Sequence, residues 1–369
     1  MLCLLDGLQK TEIQPIVIMP EGDGGLEKEL KDRDISSIRC DVPVQFATTN
    51  KRPPFYKPIQ RRRWTASRVS EIHQRTRAAC DILVKQLTEI DAIYSNTSAT
   101  LLGHFLAKAL HRPHIWHLRE FAENYGMHPV GGPTMFREQL MAADERITIS
   151  RAVASKLLGR FSSCCCQIYN GVGSEADFAK LAMARQERQR SPACRFLLMG
   201  QILQSKGHAE AIVAIKHLSN LVRERILLRI VGSGDSDWLS SLVHRNRAEE
   251  LVQVIGPTKD PFSEILSADA LLMCSPMEAM GRVTAEAMVS GCPVIGFDAF
   301  GTSELIDHGR TGLLYRTQSQ LVQRMQQLIR DPALGPRLAA NAYQEAVNKF
   351  SNETYASRVA DVIRKAVNG

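Results

Sequence analysis

The chain has 369 residues and a formal net charge of +7 at pH 7, with 44% hydrophobic and 23% charged residues. This length is comfortable for two domains, and the composition excludes disordered and fibrous proteins. No apolar run approaches the ~18 residues of a membrane span, and the N-terminus lacks the features of a signal peptide. We therefore expect a cytoplasmic protein.

Nine cysteines are spread along the chain, and none forms a C-x-x-C pair. An odd number without that spacing indicates neither a disulfide framework nor a zinc site. The run Cys164–Cys166 is unusual. Because adjacent side chains point in different directions, we expect small buried residues that lead into a strand, not metal ligands.

The N-terminal residues 2–8 have the pattern of the end of an amphipathic helix, and the first predicted strand is Pro15–Pro20. A glycine-rich turn and a helix over Leu26–Lys31 follow. A doubly wound domain normally opens with a strand and a glycine-rich turn, so we interpret this strand as the second one. The first strand and its turn are then expected to be missing, through a natural truncation or a misplaced start codon.

A basic segment with interleaved aromatic residues lies at residues 51–64 and includes Lys51, Arg52 and Arg61–Arg63. Such a segment can contact nucleic acid or the anionic face of a membrane, and a solvated loop is the alternative. No nucleic-acid motif accompanies it. Of the two binding functions we favour the inner face of a membrane, and we expect no nucleic-acid partner.

The middle of the chain alternates between predicted helices and strands, with a helix over Arg68–Ile90 and strands at Asp91–Ser95 and Pro113–His117. The polar turn Asn96–Ser98 is expected to cap a helix over residues 99–110. A glycine- and proline-rich loop is expected at Gly126–Thr134. Ligands of doubly wound domains meet the C-terminal ends of strands. This rule predicts that three side chains face the cleft between the two domains: His117, Arg119 and Glu120.

The stretch at residues 275–295 reads S-P-M-E-A-M-G-R-V-T-A-E-A-M-V-S-G-C-P-V-I. It predicts the end of a strand, a loop, one short helix and the next strand. Gly281 opens the helix, Gly291 supplies the left-handed residue after it, and Pro293 cannot continue it. The backbone N–H groups of residues 281–284 are then unpaired at the C-terminal edge of a sheet, which makes an anion site.

Two carboxylates bracket this site, Glu278 before the helix and Glu286 within it. If all eight steps were helical they would lie about 12 Å apart, on the scale of a nucleotide sugar. A carboxylate accepts two hydroxyl hydrogen bonds, which suits a vicinal diol. The alternative is a plain helix with Glu286 on its solvated face, which the flanking Ala285 and Ala287 disfavour.

This pattern closely resembles the E-x7-E signature of the retaining glycosyltransferases of family 4, which have the GT-B fold of two facing Rossmann-like domains. The resemblance extends from near residue 10 to the C-terminus. It implies transfer of a hexose-type sugar from a nucleotide diphosphate sugar to a hydroxyl acceptor, either a lipid-linked or a polysaccharide intermediate. It implies an acceptor-side domain at 1–166, a nucleotide-sugar domain at 167–350 and a helix at 351–369 that crosses back. Strand–helix alternation predicts two doubly wound α/β domains independently.

The resemblance also assigns roles to residues. Lys206 matches the family's diphosphate-binding lysine, whereas Gln201 replaces its partner arginine and Phe300 replaces a glycine. Glu278 would hold the sugar hydroxyls, Glu286 the ribose diol, and His117 the sugar from the opposite domain, with Arg119 and Glu120 on the acceptor side. The remaining donor-binding candidates are Gly200, Gln201, Gly256, Gly281, Arg282, Val283 and Gly301.

The implied chemistry needs no divalent metal, because Lys206 and the helix N-terminus would stabilise the departing diphosphate. The leaving phosphate would deprotonate the incoming hydroxyl on the same face of the sugar. An epimerase or phosphorylase on the same frame would need its own acid and base carboxylates or a lysine-bound cofactor, and neither is evident. A second alternative is a degenerate homologue that binds the donor but is inactive or needs a partner subunit, as Gln201, Phe300 and the missing strand favour.

Overall fold

The computed structural model describes residues 1–22, 24–48, 58–188, 193–222 and 225–369. The chain divides into two compact units, which we call unit 1 (residues 1–169 and 355–369) and unit 2 (residues 170–354). The boundaries predicted from the sequence lie three and four residues earlier, at 166/167 and 350/351. None of the helices in these ranges combines the length and the apolar character that a membrane span needs.

Unit 1 combines a parallel sheet with short satellite strands. Its helices are α1 (Leu2–Leu8), α2 (Leu26–Lys31), α3 (Pro58–Leu83), α4 (Leu102–Leu110), α5 (Gly132–Met141), α6 (Arg151–Leu158) and most of α15 (Asn352–Asn368). Its strands are β1 (Val17–Pro20), β2 (Ser37–Cys40), β3 (Phe46–Thr48), β4 (Ile93–Ser95), β5 (His114–Leu118), β6 (Met127–Pro129), β7 (Glu145–Thr148) and β8 (Cys166–Gln167).

The main sheet of unit 1 has the parallel order β4-β5-β7-β8, β1 pairs with β2 in parallel, and β3 pairs with β6 antiparallel. Every residue of β5 is buried, as is typical of a central parallel strand with both faces covered. One of its faces packs against α1 and α15, through residues such as Leu4, Leu8 and Val359. The end of the chain is therefore part of the unit 1 core.

Several local predictions for unit 1 change in the structure. Helix α3 begins at Pro58, ten residues before the predicted start, because proline is favoured in the first turn of a helix, where its missing N–H costs nothing. Arg61–Arg63 are therefore exposed on a helix, and residues 51–57 lie outside the described ranges. The predicted loop at Gly126–Thr134 contains β6 and the start of α5. Cys164 is exposed and the next two cysteines are half-buried, so the expected burial of this run is wrong, although the run does lead into β8.

Unit 2 is a six-stranded doubly wound domain. Its strands are β9 (Ala193–Met199), β10 (Arg225–Val231), β11 (Val252–Gly256), β12 (Ala270–Met273), β13 (Val294–Phe297) and β14 (Leu313–Tyr315). Its helices are α7 (Glu175–Gln186), α8 (His208–Ser219), α9 (Ser236–Arg245), α10 (Pro261–Ser267), α11 (Arg282–Val289), α12 (Phe300–Leu305), α13 (Gln318–Arg330) and α14 (Leu334–Lys349).

The unit 2 sheet is parallel throughout, with the strand order β11-β10-β9-β12-β13-β14. The chain builds outward from β9 in one direction and then from β12 in the other, so the strand order reverses between β9 and β12. In open α/β sheets a ligand-binding crevice lies at such a reversal, outside the carboxyl ends of the strands. The fold therefore singles out the segments that follow Met199 and Met273.

Candidate functional site

The segments after β9 and β12 are in contact at the reversal of strand order. Gly207 has a φ of +75°, and a Cβ placed on it would lie 2.2 Å from the carbonyl oxygen of Cys274. The Ser275 hydroxyl donates to the carbonyl oxygen of Ser205 at 3.4 Å. Only glycine allows this approach, and it brings the end of the β9 loop against the beginning of the β12 loop.

Lys206 and Glu278 form an ion pair across this contact. The Lys206 Nζ donates to Glu278 Oε1 at 2.6 Å, and the two side chains are 20% and 15% exposed. The residues are 72 positions apart in the sequence, and the two adjacent strands bring them together. The structure thus joins two of the three residues that were assigned catalytic roles.

The helix that follows, α11, begins as the sequence predicts. Gly281 is its N-cap with a φ of +79°, and the backbone N–H groups of Gly281, Arg282 and Val283 have no acceptor among the described residues. The expectation of a free N–H at Thr284 is wrong, because this group donates to the carbonyl oxygen of Gly281 at 2.9 Å in a tightened first turn. Three open amides remain as an anion site.

Glu286 lies on the buried face of α11 and is 5% exposed, so the solvated alternative is excluded. The Arg282 Nε donates to Glu286 Oε1 at 2.8 Å, one helical turn away. Burial raises the pKa of the Glu286 carboxyl, and the Arg282 charge opposes that rise. Only the last four of the eight residue steps between Glu278 and Glu286 are helical. The separation of about 12 Å, which assumes that all eight are helical, therefore does not apply.

Sequence reasoning missed two threonines beside the N-terminus of α11. Thr284 and Thr302 are both buried, and the structure gives neither hydroxyl a hydrogen-bond partner. Their oxygens lie 3.3 and 3.8 Å from the position that a Cβ on Gly281 would take. The signal was a pair of threonines, each close to the start of a helix, but a threonine in such a position usually serves as an ordinary cap.

Gly301 brings α12 against the loop that carries Glu278. Its N–H donates to the Glu278 carbonyl oxygen at 2.9 Å, and a Cβ at this position would lie 2.7 Å from Ala279 O. The preceding Phe300 has a φ of +47° and is 39% exposed. A residue with a Cβ is strained in this left-handed backbone conformation. A glycine would adopt it without strain, so Phe300 is a less favourable residue than glycine at this position.

The other donor-binding candidates lie at neighbouring strand ends. Gly200 follows β9 with a φ of +147°, and Gly256 ends β11 with a φ of +79°. A Cβ placed on either residue would meet no atom within 4 Å. The N–H of Gly232 donates to the Gly256 carbonyl oxygen at 2.9 Å, which links these strand ends. Gln201 is exposed and makes no hydrogen bond with a described residue.

The unit 1 candidate His117 does not reach a surface. It is 0% exposed, its Nδ1 is hydrogen-bonded to the Tyr94 hydroxyl at 2.5 Å, and its Nε2 has no partner in the structure. Burial lowers the pKa of this imidazole well below its ordinary value, and the Arg119 charge adds to the shift. The expectation that His117 faces a cleft is therefore wrong for unit 1 as described, because α1 and α15 cover this strand.

Arg119 and Glu120 are held by residues of their own unit. Arg119 donates to Asn96 Oδ1 at 2.8 Å and to the Tyr355 hydroxyl at 3.3 Å. Glu120 Oε1 accepts from the Thr97 hydroxyl at 2.8 Å and from the Ser98 N–H and hydroxyl, both at 2.9 Å. The Asn96–Ser98 turn therefore binds Glu120 and does not cap α4, which begins at Leu102 without a side-chain cap.

Among the described residues no group of three His, Cys, Asp or Glu side chains is arranged to hold a metal ion.

Comparison with known proteins places the unit 2 site in context. Residues 182–345 match the model of the family described as "Glycosyl transferases group 1". These residues lie within unit 2 and include Lys206, Glu278 and all of α11. The matched region therefore contains the whole cluster at the strand-order reversal.

Two relatives and one solved structure illustrate the range of similarity. The chain is 27% identical over 190 residues to the lipopolysaccharide core biosynthesis glycosyltransferase LpsD of Rhizobium meliloti, covering 50% of this chain and about half, 54%, of LpsD. It is 25% identical over 320 residues to the α-maltose-1-phosphate synthase of Mycobacterium tuberculosis, covering 77% and 81% of the two chains. The structure of Anabaena Alr3699/HepE in complex with UDP has a TM-score of 0.76 at 20% identity, covering 99% and 95%.

The likeness to HepE is one of fold and extends over nearly the whole chain. It confirms the prediction of a GT-B fold built from Rossmann-like parallel-sheet domains.

Proposed function

We propose that this protein is a glycosyltransferase that moves a hexose-type sugar from a nucleotide diphosphate sugar to a hydroxyl acceptor. The observation that carries the proposal is the ion pair of Lys206 and Glu278 beside the open amides of α11, at the reversal of strand order. The match of residues 182–345 to group 1 glycosyl transferases and the UDP bound to HepE support it.

The diphosphate of the donor would lie on the N–H groups of Gly281, Arg282 and Val283, with the Lys206 ammonium beside it. Oriented N–H groups at a helix N-terminus favour negative charge. As the bond to the sugar breaks, charge develops on the leaving diphosphate, and groups already aimed at it lower the barrier. These positive groups lead us to propose a reaction without a divalent metal.

The two carboxylates would hold the sugars at either end of the diphosphate. Glu278 is 15% exposed and would accept hydrogen bonds from hydroxyls of the transferred sugar. Glu286 would accept from the ribose diol, and the Arg282 charge opposes the rise in pKa that burial causes in this carboxyl. When the donor binds, the Lys206–Glu278 and Arg282–Glu286 ion pairs would each give up part of their mutual contact and form contacts with the donor.

We further propose that transfer retains the configuration of the sugar. A buried imidazole such as His117 cannot serve as a general base from its position in unit 1. The leaving phosphate would instead take the proton of the incoming hydroxyl on the same face. This requires only that the diphosphate and the acceptor hydroxyl lie together.

For the acceptor we propose a lipid-linked or polysaccharide intermediate. The similarity to a lipopolysaccharide core biosynthesis glycosyltransferase favours this class. The exposed Arg61–Arg63, next to Ile59 at 69% exposure, would support peripheral contact with an anionic membrane surface at the cytoplasmic side.

The second candidate is a protein that binds the donor but needs a partner subunit or is inactive. Burial of His117 at 0% exposure favours it, because no histidine is then presented at this strand end. Gln201 stands where the resemblance predicts an arginine, and a neutral amide cannot make a charge-assisted contact to the diphosphate. This substitution also favours the second candidate.

The test is to incubate the protein with a panel of UDP-, GDP- and ADP-sugars, with and without membrane lipid extract, and to identify products by mass spectrometry. We expect slow hydrolysis of one donor and transfer to an extract component, both unchanged by a metal chelator. Donor binding without any turnover would support the second candidate. If no nucleotide sugar binds at all, both candidates fail.

A further inference from the structure

A groove lies on unit 2 at the N-terminal ends of its parallel strands. This groove has a volume of about 610 Å³ and is formed by the end of α13, the beginning of α14 and the loop from His308 to Leu313. Leu313 is the first residue of β14, whereas Lys206 and Glu278 follow the last residues of β9 and β12. Because all six strands are parallel, the groove and the Lys206–Glu278 pair lie at opposite ends of the strands.

The groove carries an excess of positive charge. Three of its lining residues are arginines and one is an aspartate. Arg324 is held in place, since its Nε donates to the Leu314 carbonyl oxygen at 3.2 Å and one terminal nitrogen donates to Gln327 Oε1 at 3.2 Å. The side chains of Arg330 and Arg337 are exposed, and neither guanidinium group has a hydrogen bond or ion pair with a described residue. Two guanidinium groups are thus open at one site.

His308 adds a hydrogen-bond donor of defined tautomer. The Leu314 N–H donates to its Nδ1 at 3.0 Å, so the neutral ring carries its proton on Nε2. Gln323 and Gln326 add amide groups that both donate and accept. The groove therefore combines cations with neutral polar groups, and Leu313 and Leu334 are apolar residues of its lining.

We propose that this groove binds a small phosphate ester of a polyhydroxylated molecule, such as a sugar phosphate. Guanidinium groups hold a phosphate through paired N–H contacts, which Arg330 and Arg337 can supply. Hydroxyl groups both donate and accept hydrogen bonds, and the side-chain amides of Gln323 and Gln326 can serve as their partners in both roles. The volume falls within the range of ~300–1,000 Å³ that is usual for small-molecule sites.

The experiment measures binding of glucose 6-phosphate, inorganic phosphate and glucose to the full chain by isothermal titration calorimetry. We expect glucose 6-phosphate to bind with a Kd of about 1 mM or below, and each of the other two at least about tenfold more weakly. The double variant Arg330→Gln/Arg337→Gln should lose at least about tenfold in affinity for the ester. Gln323→Ala/Gln326→Ala should reduce the preference for the ester over inorganic phosphate.

Two control variants show whether the ester binds in this groove, and not through the overall positive charge or at the Lys206–Glu278 site. Arg225→Gln/Arg245→Gln removes the same charge from exposed positions of unit 2 outside the groove, and it should leave the affinity within about twofold. Lys206→Gln should also leave it unchanged, which makes the result independent of the proposed transferase function. The inference is overturned if the ester does not bind, if the Arg330/Arg337 variant binds like wild type, or if either control loses as much affinity.

Discussion

Two clusters of polar residues occupy equivalent places in the two units, at the C-terminal ends of parallel strands. In the unit 1 cluster (His117, Arg119 and Glu120), Arg119 and Glu120 are hydrogen-bonded within their own unit, and His117 has one unpaired ring nitrogen but no exposed surface. The unit 2 cluster (Lys206, Glu278, Arg282 and Glu286) pairs its charges but leaves three helix amides open. A strand end is thus necessary for a site of this kind, but open hydrogen-bonding groups decide whether a ligand can bind.

The largest expected effect is on the unit 2 cluster. Replacing Lys206 with Gln removes the cation beside the proposed diphosphate and leaves Glu278, at 15% exposure, without its partner. We expect the rate of donor turnover to fall about 100-fold or more, the loss typical when one electrostatic contact to a leaving group is removed. The exposed Lys259→Gln is the matched control. Steady-state assays that show less than a twofold loss for Lys206→Gln would remove this residue from the mechanism.

The next effect tests the structural role of the unit 1 cluster. Glu120→Ala deletes the acceptor of three hydrogen bonds from Thr97 and Ser98. We expect the free energy of unfolding to fall by about 2 kcal/mol, because the donors lose a charged partner. Urea denaturation measures this, with the exposed Glu89→Ala as control. An unchanged unfolding midpoint would show that Glu120 is not a structural anchor.

Glu286 should show opposite effects on binding and stability. Burial raises its folded pKa, so the ionised carboxylate opposes folding at neutral pH, and stability rises as pH falls through that raised pKa. Glu286→Gln should therefore raise the melting temperature at pH 7 and weaken donor binding about tenfold, through loss of a charge-assisted hydrogen bond. Calorimetry with the donor checks both. A variant that loses stability as well as binding would contradict this account.

The effect that is smallest at pH 7 concerns one buried histidine of unit 1, His114. Burial lowers the pKa of His114 from 6.5 to about 3. Between these two pH values the imidazole is protonated in the unfolded chain but neutral in the folded chain. Stability from this group is present above pH 6.5 and is lost below it, by up to about 1.4 kcal/mol for each pH unit. His114→Gln should flatten the decline of unfolding free energy between pH 6.5 and 5. Equal slopes for variant and wild type would contradict the burial of a neutral imidazole.

Sequence patterns located most helices and strands, but they did not locate every helix end, because a polar first turn has no apolar periodicity. The strand that follows Pro293 and the helix Leu26–Lys31 lie where they were predicted, because apolar runs and glycine or proline boundaries define them. Helix α3 starts earlier, at Pro58, since a polar and basic first turn has no apolar periodicity to reveal it.

The sequence by itself determined the unit 2 site to a large degree. Gly281 and Gly291, both with positive φ, fix where α11 begins and ends, and a helix N-terminus after a buried strand produces open amides wherever it occurs. These are local consequences of residue type, so they can be read from a short stretch of chain.

Only the tertiary structure decided which polar groups are already occupied. Arg119 meets Tyr355 across 236 positions of sequence, and Lys206 meets Glu278 across 72. The strand that carries His117 packs against helices from both ends of the chain. Hydrogen bonding and burial depend on neighbours in space, and those neighbours are set by packing of distant segments that no local pattern specifies.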